Sequence, residues 1–277
     1  VLDTPDVYRR LTDACGTLRV SVLEGGASPV SRVGREWVSA ADLTRWRERL
    51  VEAEVRRIQA EYGCVAPPHV AASRLLHHYL WSACLLLSGP WYLDRRVLRL
   101  RPEDVWIEAA SGDLAVRPGG FACLAGDPAA GGECGGNVRE RGVRVVAGEE
   151  ELRAELRAAV VAHAAGVLEA FRPVVKRGDR ALWGMVTDDL VSGIWHLGRM
   201  LGDEERAVAE AAVLLPGGPP PFPGGAAFRR LPGTDGRSHH LTRTRLGCCL
   251  YYTIRPADTC VTCPRTGDAE RVRRLEG

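Results

Sequence analysis

DRALWGMVTDDLVSGIWHLGRML, residues 179–201, decides the fold class. Leu182, Met185, Val186, Asp189, Val191, Ile194, Leu197 and Leu201 fall mostly on one face at helical spacing. Upstream, residues 149–172 read as a second helix. It opens on Glu149-Glu150-Glu151, whose charges complement the positive end of the helix dipole, and Pro173 closes it. Downstream, a short helix over 203–215 leads into LPGGPPPFPGG, residues 215–225, which cannot continue a helix and reads as a linker. Towards the N-terminus, Val7, Leu11 and Ala14 mark a helix over 4–15. Ser39 and Asp42 form a capping box for a helix over 40–62 that Gly63 stops. Pro67-Pro68 opens another, which Ser88-Gly89-Pro90 ends near Leu87. DVWIE (104–108) and DLAVR (113–117) read as a small hairpin, and 117–137 as an exposed loop. The expected fold is mostly α: a helical domain with a small β-hairpin element over 1–222, then a short C-terminal segment over 223–277.

The 277 residues are 45% hydrophobic and 26% charged, with a formal charge of +2. That balance suits one large domain, or a main domain with an appendage, and provides no basic field for nucleic acid. Lys176 is the only lysine, so the arginine bias reflects overall composition, rich also in Ala, Gly and Pro. The opening VLDTPDVYRR has no charged-then-apolar leader, so no secretory signal is expected. LLHHYLWSACLLLSGPWYL, residues 75–93, is long enough to span a bilayer. His77, His78, Ser82, Ser88, Gly89 and Pro90 interrupt it, and a buried helix rather than a transmembrane segment is expected. Nine cysteines without a leader point away from a disulfide framework and towards metal or buried thiols.

Four of them sit in CCLYYTIRPADTCVTCPR, residues 248–265. Thiolate is a soft ligand, and four select zinc or iron–sulfur. Cys260 and Cys263 have the usual chelating spacing. Cys248 and Cys249 are adjacent, and on an extended strand they point to opposite faces, so the backbone must bend there. Gly247 is the expected permissive residue. The adjacent pair counts against zinc, which draws on pairs two to four apart, and a two-iron cluster tolerates it better. Spacing alone leaves both open. Cys15, Cys64, Cys84 and Cys123 read as buried small hydrophobes. Cys134, in GGECGG, has no partner at ligand spacing.

The segment 248–265 resembles the C-terminal signature of the FhuF-like ferric-siderophore reductases, through CCLYY at 248–252 and Cys-Pro-Arg at 263–265. LWGMVTDDLVSGIWHLGRM (182–200) and SGPWYL (88–93) are also similar to members of that family. TIRPADT, between the cysteine pairs, departs from the family in having less glycine. The resemblance implies a 2Fe–2S cluster on Cys248, Cys249, Cys260 and Cys263, within a C-terminal iron–sulfur-binding segment. It also implies one-electron reduction of siderophore-bound Fe3+ to Fe2+ by a helical siderophore-binding domain. The expected partners are a ferric siderophore and an external electron donor, such as a ferredoxin or flavoprotein reductase, because no dinucleotide or P-loop motif is found. The implied location is the cytoplasm or the inner membrane face.

Residues 237–277 hold eight arginines against four acids. Arg243, Arg245, Arg265, His239, His240 and Trp195 are accordingly candidates for docking an anionic siderophore or an acidic donor. The alternative is an ordinary solvated surface. His77 and His78 read as core or interface histidines, with a ligand or substrate contact the alternative. Asp188 and Asp189 read as solvent-facing or capping, with a pocket role the alternative that the resemblance raises. Two other functions fit the cysteines: a carrier or sensor without a siderophore site, and a binding module with structural zinc.

Overall fold

The computed structural model describes residues 4–23, 27–29, 35–130 and 142–277. Cys134 and the last part of the loop expected over 117–137 lie outside them. The chain begins with α1 (Thr4–Ala14), β1 (Val20–Val22), β2 (Trp37–Ser39), α2 (Leu43–Tyr62) and α3 (Pro68–Asp94). Short strands follow: β3 (Arg96–Leu98), β4 (Val105–Glu108), β5 (Leu114–Val116), β6 (Phe121–Leu124) and β7 (Val143–Val146). Next come α4 (Glu149–Val175), α5 (Asp179–Met200) and α6 (Glu204–Leu214), then β8 (Phe228–Pro232), β9 (His239–Arg243) and α7 (Asp268–Glu276). The fold is mostly α, as expected.

The apolar stretch 75–93 is the middle of the structure. α3 packs against α1, α2, α4 and α5, and its apolar side chains are buried on nearly every side, as a helix without a polar face must be. By length and apolarity alone, one helix among the described residues, α4, could cross a bilayer. Its Leu152, Leu156, Val160, Val167 and Leu168 are buried in the core.

α3 does not stop at Ser88-Gly89-Pro90 but runs on to Asp94. A proline inside a helix leaves the carbonyl four residues earlier without its N–H. Here that carbonyl is Leu86 O, and the buried Tyr8 hydroxyl of α1 donates to it at 3.2 Å. Gly89 opens the same contact: a Cβ there would lie 2.7 Å from Leu11 Cδ2. Similarly, Pro173 lies within the last turn of α4, which runs on to Val175 and is capped by the left-handed Lys176. The expected capping box is also altered. Ser39 Oγ accepts from Ala41 N at 3.2 Å and caps a 3-10 turn over Ala40–Asp42, after which α2 begins.

The expected hairpin is β4–β5, with Ile107 opposite Leu114. β1 extends it in parallel beside β5, and β2 flanks β4, giving the order β1-β5-β4-β2. The loop expected over 117–137 instead contains β6, whose Ala122 and Cys123 are buried; it pairs antiparallel with β3 and parallel with β7. Cys15, Cys84 and Cys123 are buried and Cys64 is half-buried. The run 215–225 forms no helix but packs down: Leu215 and Phe222 are buried, and the Phe222 ring meets Trp183 edge-on at 6.1 Å.

Candidate metal centre

The cysteine segment is held on α5 by a buried ion-pair lattice. Arg243, at the end of β9, and Arg245 alternate along an extended chain and so turn to the same side. Arg243 Nη2 donates to Asp188 Oδ1 at 2.7 Å, and Arg245 Nη2 donates to Asp189 Oδ1 at 2.9 Å. Asp188 also accepts from the amides of Leu246, at 3.0 Å, and Gly247, at 2.7 Å. Asp189 faces His77 of α3, with Nδ1 2.8 Å away. Both carboxylates and Arg243 are fully buried.

Burial pushes the Asp188 carboxyl up, while Arg243, Arg245 and the two amides pull it back. Burial also lowers Arg243, against Asp188. At Arg245 burial acts in the same downward sense, and Asp189 with Asp188 more than offsets it, so the guanidinium is raised. A buried charge is tolerated only where partners replace water, and here the two carboxylates face the two guanidinium groups.

Asp188 thereby fixes the backbone that leads into Cys248. Leu246 and Gly247 lie against the α5 backbone at Gly184, where a Cβ on Gly247 would come within 3.0 Å of Met185 N and 3.2 Å of Ala181 O. Gly247 is needed for this close approach. The bend that turns the adjacent cysteines comes after them, at Leu250, whose φ of 64° is left-handed. The Leu250 amide donates to Cys248 Sγ at 3.4 Å, and Arg177 donates to the Cys248 carbonyl. The second pair closes a tight turn, Cys263 N to Cys260 O at 2.9 Å. Arg271 of α7, almost wholly buried, ties the two limbs together: it donates to Cys263 O at 3.0 Å and to Arg243 O at 3.2 Å.

Cys248, Cys249, Cys260 and Cys263 line one narrow cavity with Arg245, Tyr251, Tyr252 and Thr259, and none is in a disulfide. Burial raises the Cys248 thiol and pushes Cys260 up to about 11, with Arg245 opposing the latter. A coordinating thiol is deprotonated outright by its metal. Three sulfurs accept N–H bonds at 3.4 Å: Cys248 from Leu250, Cys263 from Arg265, and Cys249 from Arg74 Nη1. Among the described residues no three His, Cys, Asp or Glu side chains converge as the ligands of a single ion. Four soft donors around one narrow cavity, with N–H groups aimed at three of the sulfurs, fit a multi-iron cluster.

The docking candidates separate. Arg245 lines the cysteine cavity, whereas Arg243 is not at the surface, because Asp188, Ser192 Oγ and Ala226 O take up its donors. Arg265 is exposed over the Tyr252 ring at 4.3 Å. His239 and His240 lie on β9 and line neither this cavity nor the cleft beside it; His240 Nε2 is 3.0 Å from Glu276. Trp195 lines that cleft and donates to Glu204 at 2.7 Å. The local arginine excess is therefore not a surface field: Arg243, Arg245 and Arg271 are buried, and Arg273 and Arg274 pair with Glu270. Asp188 and Asp189 face inward, contrary to the solvent-facing expectation. Their signal was Asp189's place on the apolar face of α5. Arg74 and Arg177 carried no signal, since nothing local marks an arginine as facing a site far along the chain.

A helical body presenting four cysteines around one cavity has the donor set of an iron–sulfur protein. Residues 245–265 match the family of the FhuF 2Fe-2S C-terminal domain, the family that the sequence resembles. Over those residues the segment is similar to that domain, and the cofactor this points to is a 2Fe–2S cluster. No curated protein and no solved structure matches the chain.

Proposed function

We propose that the protein is a ferric-siderophore reductase, which passes one electron to siderophore-bound Fe3+. The observation that carries this reading is the coincidence of the FhuF-type match at 245–265 with a single cavity lined by all four cysteines. Cys248, Cys249, Cys260 and Cys263 would hold the cluster, which when bound supplies electrons singly. Arg74 and the amides of Leu250 and Arg265 moderate the charge on the sulfurs. Arg245, clamped by Asp188 and Asp189, keeps a fixed positive charge at the cavity wall.

The substrate chemistry needs no protein nucleophile or base. Hard hydroxamate or catecholate oxygens hold compact Fe3+ tightly and larger, less charged Fe2+ weakly, so a single electron turns the bound ion into a leaving one. In this reading residues 1–222 form the siderophore-binding body and 223–277 the cluster segment. The electron comes from a ferredoxin or flavoprotein reductase in the cytoplasm.

The test is anaerobic: dithionite-reduced protein, freed of excess reductant, is mixed with a ferric trihydroxamate or tricatecholate and a ferrous-ion indicator. Return of the oxidised spectrum with matching Fe2+ release is expected. A reduced protein that no ferric siderophore reoxidises would instead be a carrier or sensor.

A further inference from the structure

An open cleft of about 590 Å3 lies beside the cysteine cavity, between α3 and α5. Its size is in the range of small-molecule sites. We propose that this cleft, walled by His77, His78, Trp81, Trp195, His196 and Arg199, is where the ferric chelate binds, with Arg245 as the partition between chelate and cluster. The inference rests on the reductase reading above.

Position is the first argument. Arg245 lines both the cleft and the cysteine cavity, and Thr262, between Cys260 and Cys263, also faces the cleft. A second link runs through Arg74, which donates to Cys249 Sγ and lies 2.7 Å from His78 Nε2. One layer of side chains therefore separates a molecule in the cleft from the thiols, so an electron has a short way to travel.

The wall chemistry is the second argument. Trp81 and Trp195 bring aromatic rings to the cleft wall for a bulky organic complex, the His196 ring edge-on to Trp81 at 5.6 Å and Arg199 over the Trp195 ring at 5.8 Å. His78, His196, Arg199, Ser82 and Thr17 offer N–H and O–H groups to the oxygen rim of a chelate. Among the described residues, no Asp, Glu or Cys lines the cleft. Asp189 is fully buried in its bonds to His77 and Arg245. The wall thus holds no hard anionic donor to compete with the chelate for Fe3+, and the site suits the whole complex rather than the bare ion.

The experiment uses cluster-loaded protein and the redox-inert gallium(III) complexes of a trihydroxamate and a tricatecholate, titrated separately by calorimetry. Ser82→Phe fills the cleft, and His196→Leu removes an N–H while conserving bulk. At least one gallium complex should bind the unaltered protein, and each variant should weaken it about tenfold or more. The rate of reoxidation by the matching ferric chelate should fall in step. Reoxidation by hexacyanoferrate(III), an outer-sphere oxidant, should not change, nor should the cluster spectrum. Ferric chelates that reoxidise both variants at the unaltered rate, with unaltered gallium affinity, would overturn the cleft assignment while leaving the reductase reading intact. An unaltered protein that neither binds the complexes nor is reoxidised by ferric chelates would overturn the reductase reading and the cleft with it. Should Ser82→Phe lose its cluster, His196→Leu decides on the same readouts.

Discussion

Replacing Asp188 by Ala removes the acceptor on which the cysteine segment hangs. Three bonds are lost at once: Arg243 Nη2 at 2.7 Å, Leu246 N at 3.0 Å and Gly247 N at 2.7 Å. The Arg243 guanidinium stays fully buried with only dipoles as hydrogen-bond partners, namely Ala226 O, Ser192 Oγ and the backbone oxygen of residue 188, and the Asp189 carboxylate further off. Breaking a buried pair from one side costs about 3–5 kcal/mol. The two orphaned amides overlap with that figure rather than adding to it. For a chain of this size the loss corresponds to a fall in Tm of about 6–10 °C, measured by scanning calorimetry at one scan rate. The double variant Asp188→Leu with Arg243→Met removes both charges and should recover a large part of the loss, with a coupling of about 2 kcal/mol. A single Asp188→Ala whose Tm falls by less than about 2 °C, or two substitutions that simply add, would refute the buried-lattice account.

Gly247→Ala should cost about 1–3 kcal/mol by forcing the segment off the α5 backbone, read as lower Tm and lower iron per chain. Arg74→Leu removes the N–H bond to Cys249 Sγ. In potentiometric titration the cluster's potential should become more negative by on the order of 50 mV, the one-electron equivalent of about 1 kcal/mol, and an unchanged potential would remove Arg74 from the site. His163, buried between Tyr79 and Leu100 O, is pushed by burial from 6.5 down to about 4. The unfolded chain takes its proton near 6.5 and the folded one only near 4, so His163's contribution is full above pH 6.5 and fades as pH falls towards 4. The loss reaches about 3 kcal/mol. In urea titrations of the apoprotein, His163→Gln should flatten the pH dependence in that window.

Strong local signals were legible: α5 could be drawn from its apolar spacing and α4 from its acidic opening, and the cysteine motif is local enough to be read whole. What the sequence hid depends on distant partners. The continuation of α3 past Pro90 rests on a Tyr8 hydroxyl, which nothing near residue 90 announces. Three- and four-residue strands such as β3 and β6 are too short to show a period of two, and their pairing is non-local. Asp188 and Asp189 look like surface acids until β9 delivers Arg243 and Arg245 to them. The chain's bend at the cysteines was assigned to Gly247 because glycine permits it, yet the left-handed residue is Leu250, and the glycine serves close approach instead.

The central claim, that four cysteines on one cavity hold a redox-active pair of irons, is tested most directly by anaerobic isolation. Iron, acid-labile sulfide and zinc should be counted in the intact chain and in each Cys→Ser variant at 248, 249, 260 and 263. The account expects a coloured protein with two irons and two sulfides per chain, matching the 2Fe-2S family, and loss of that signature in every variant. A colourless protein carrying one zinc per chain would contradict it.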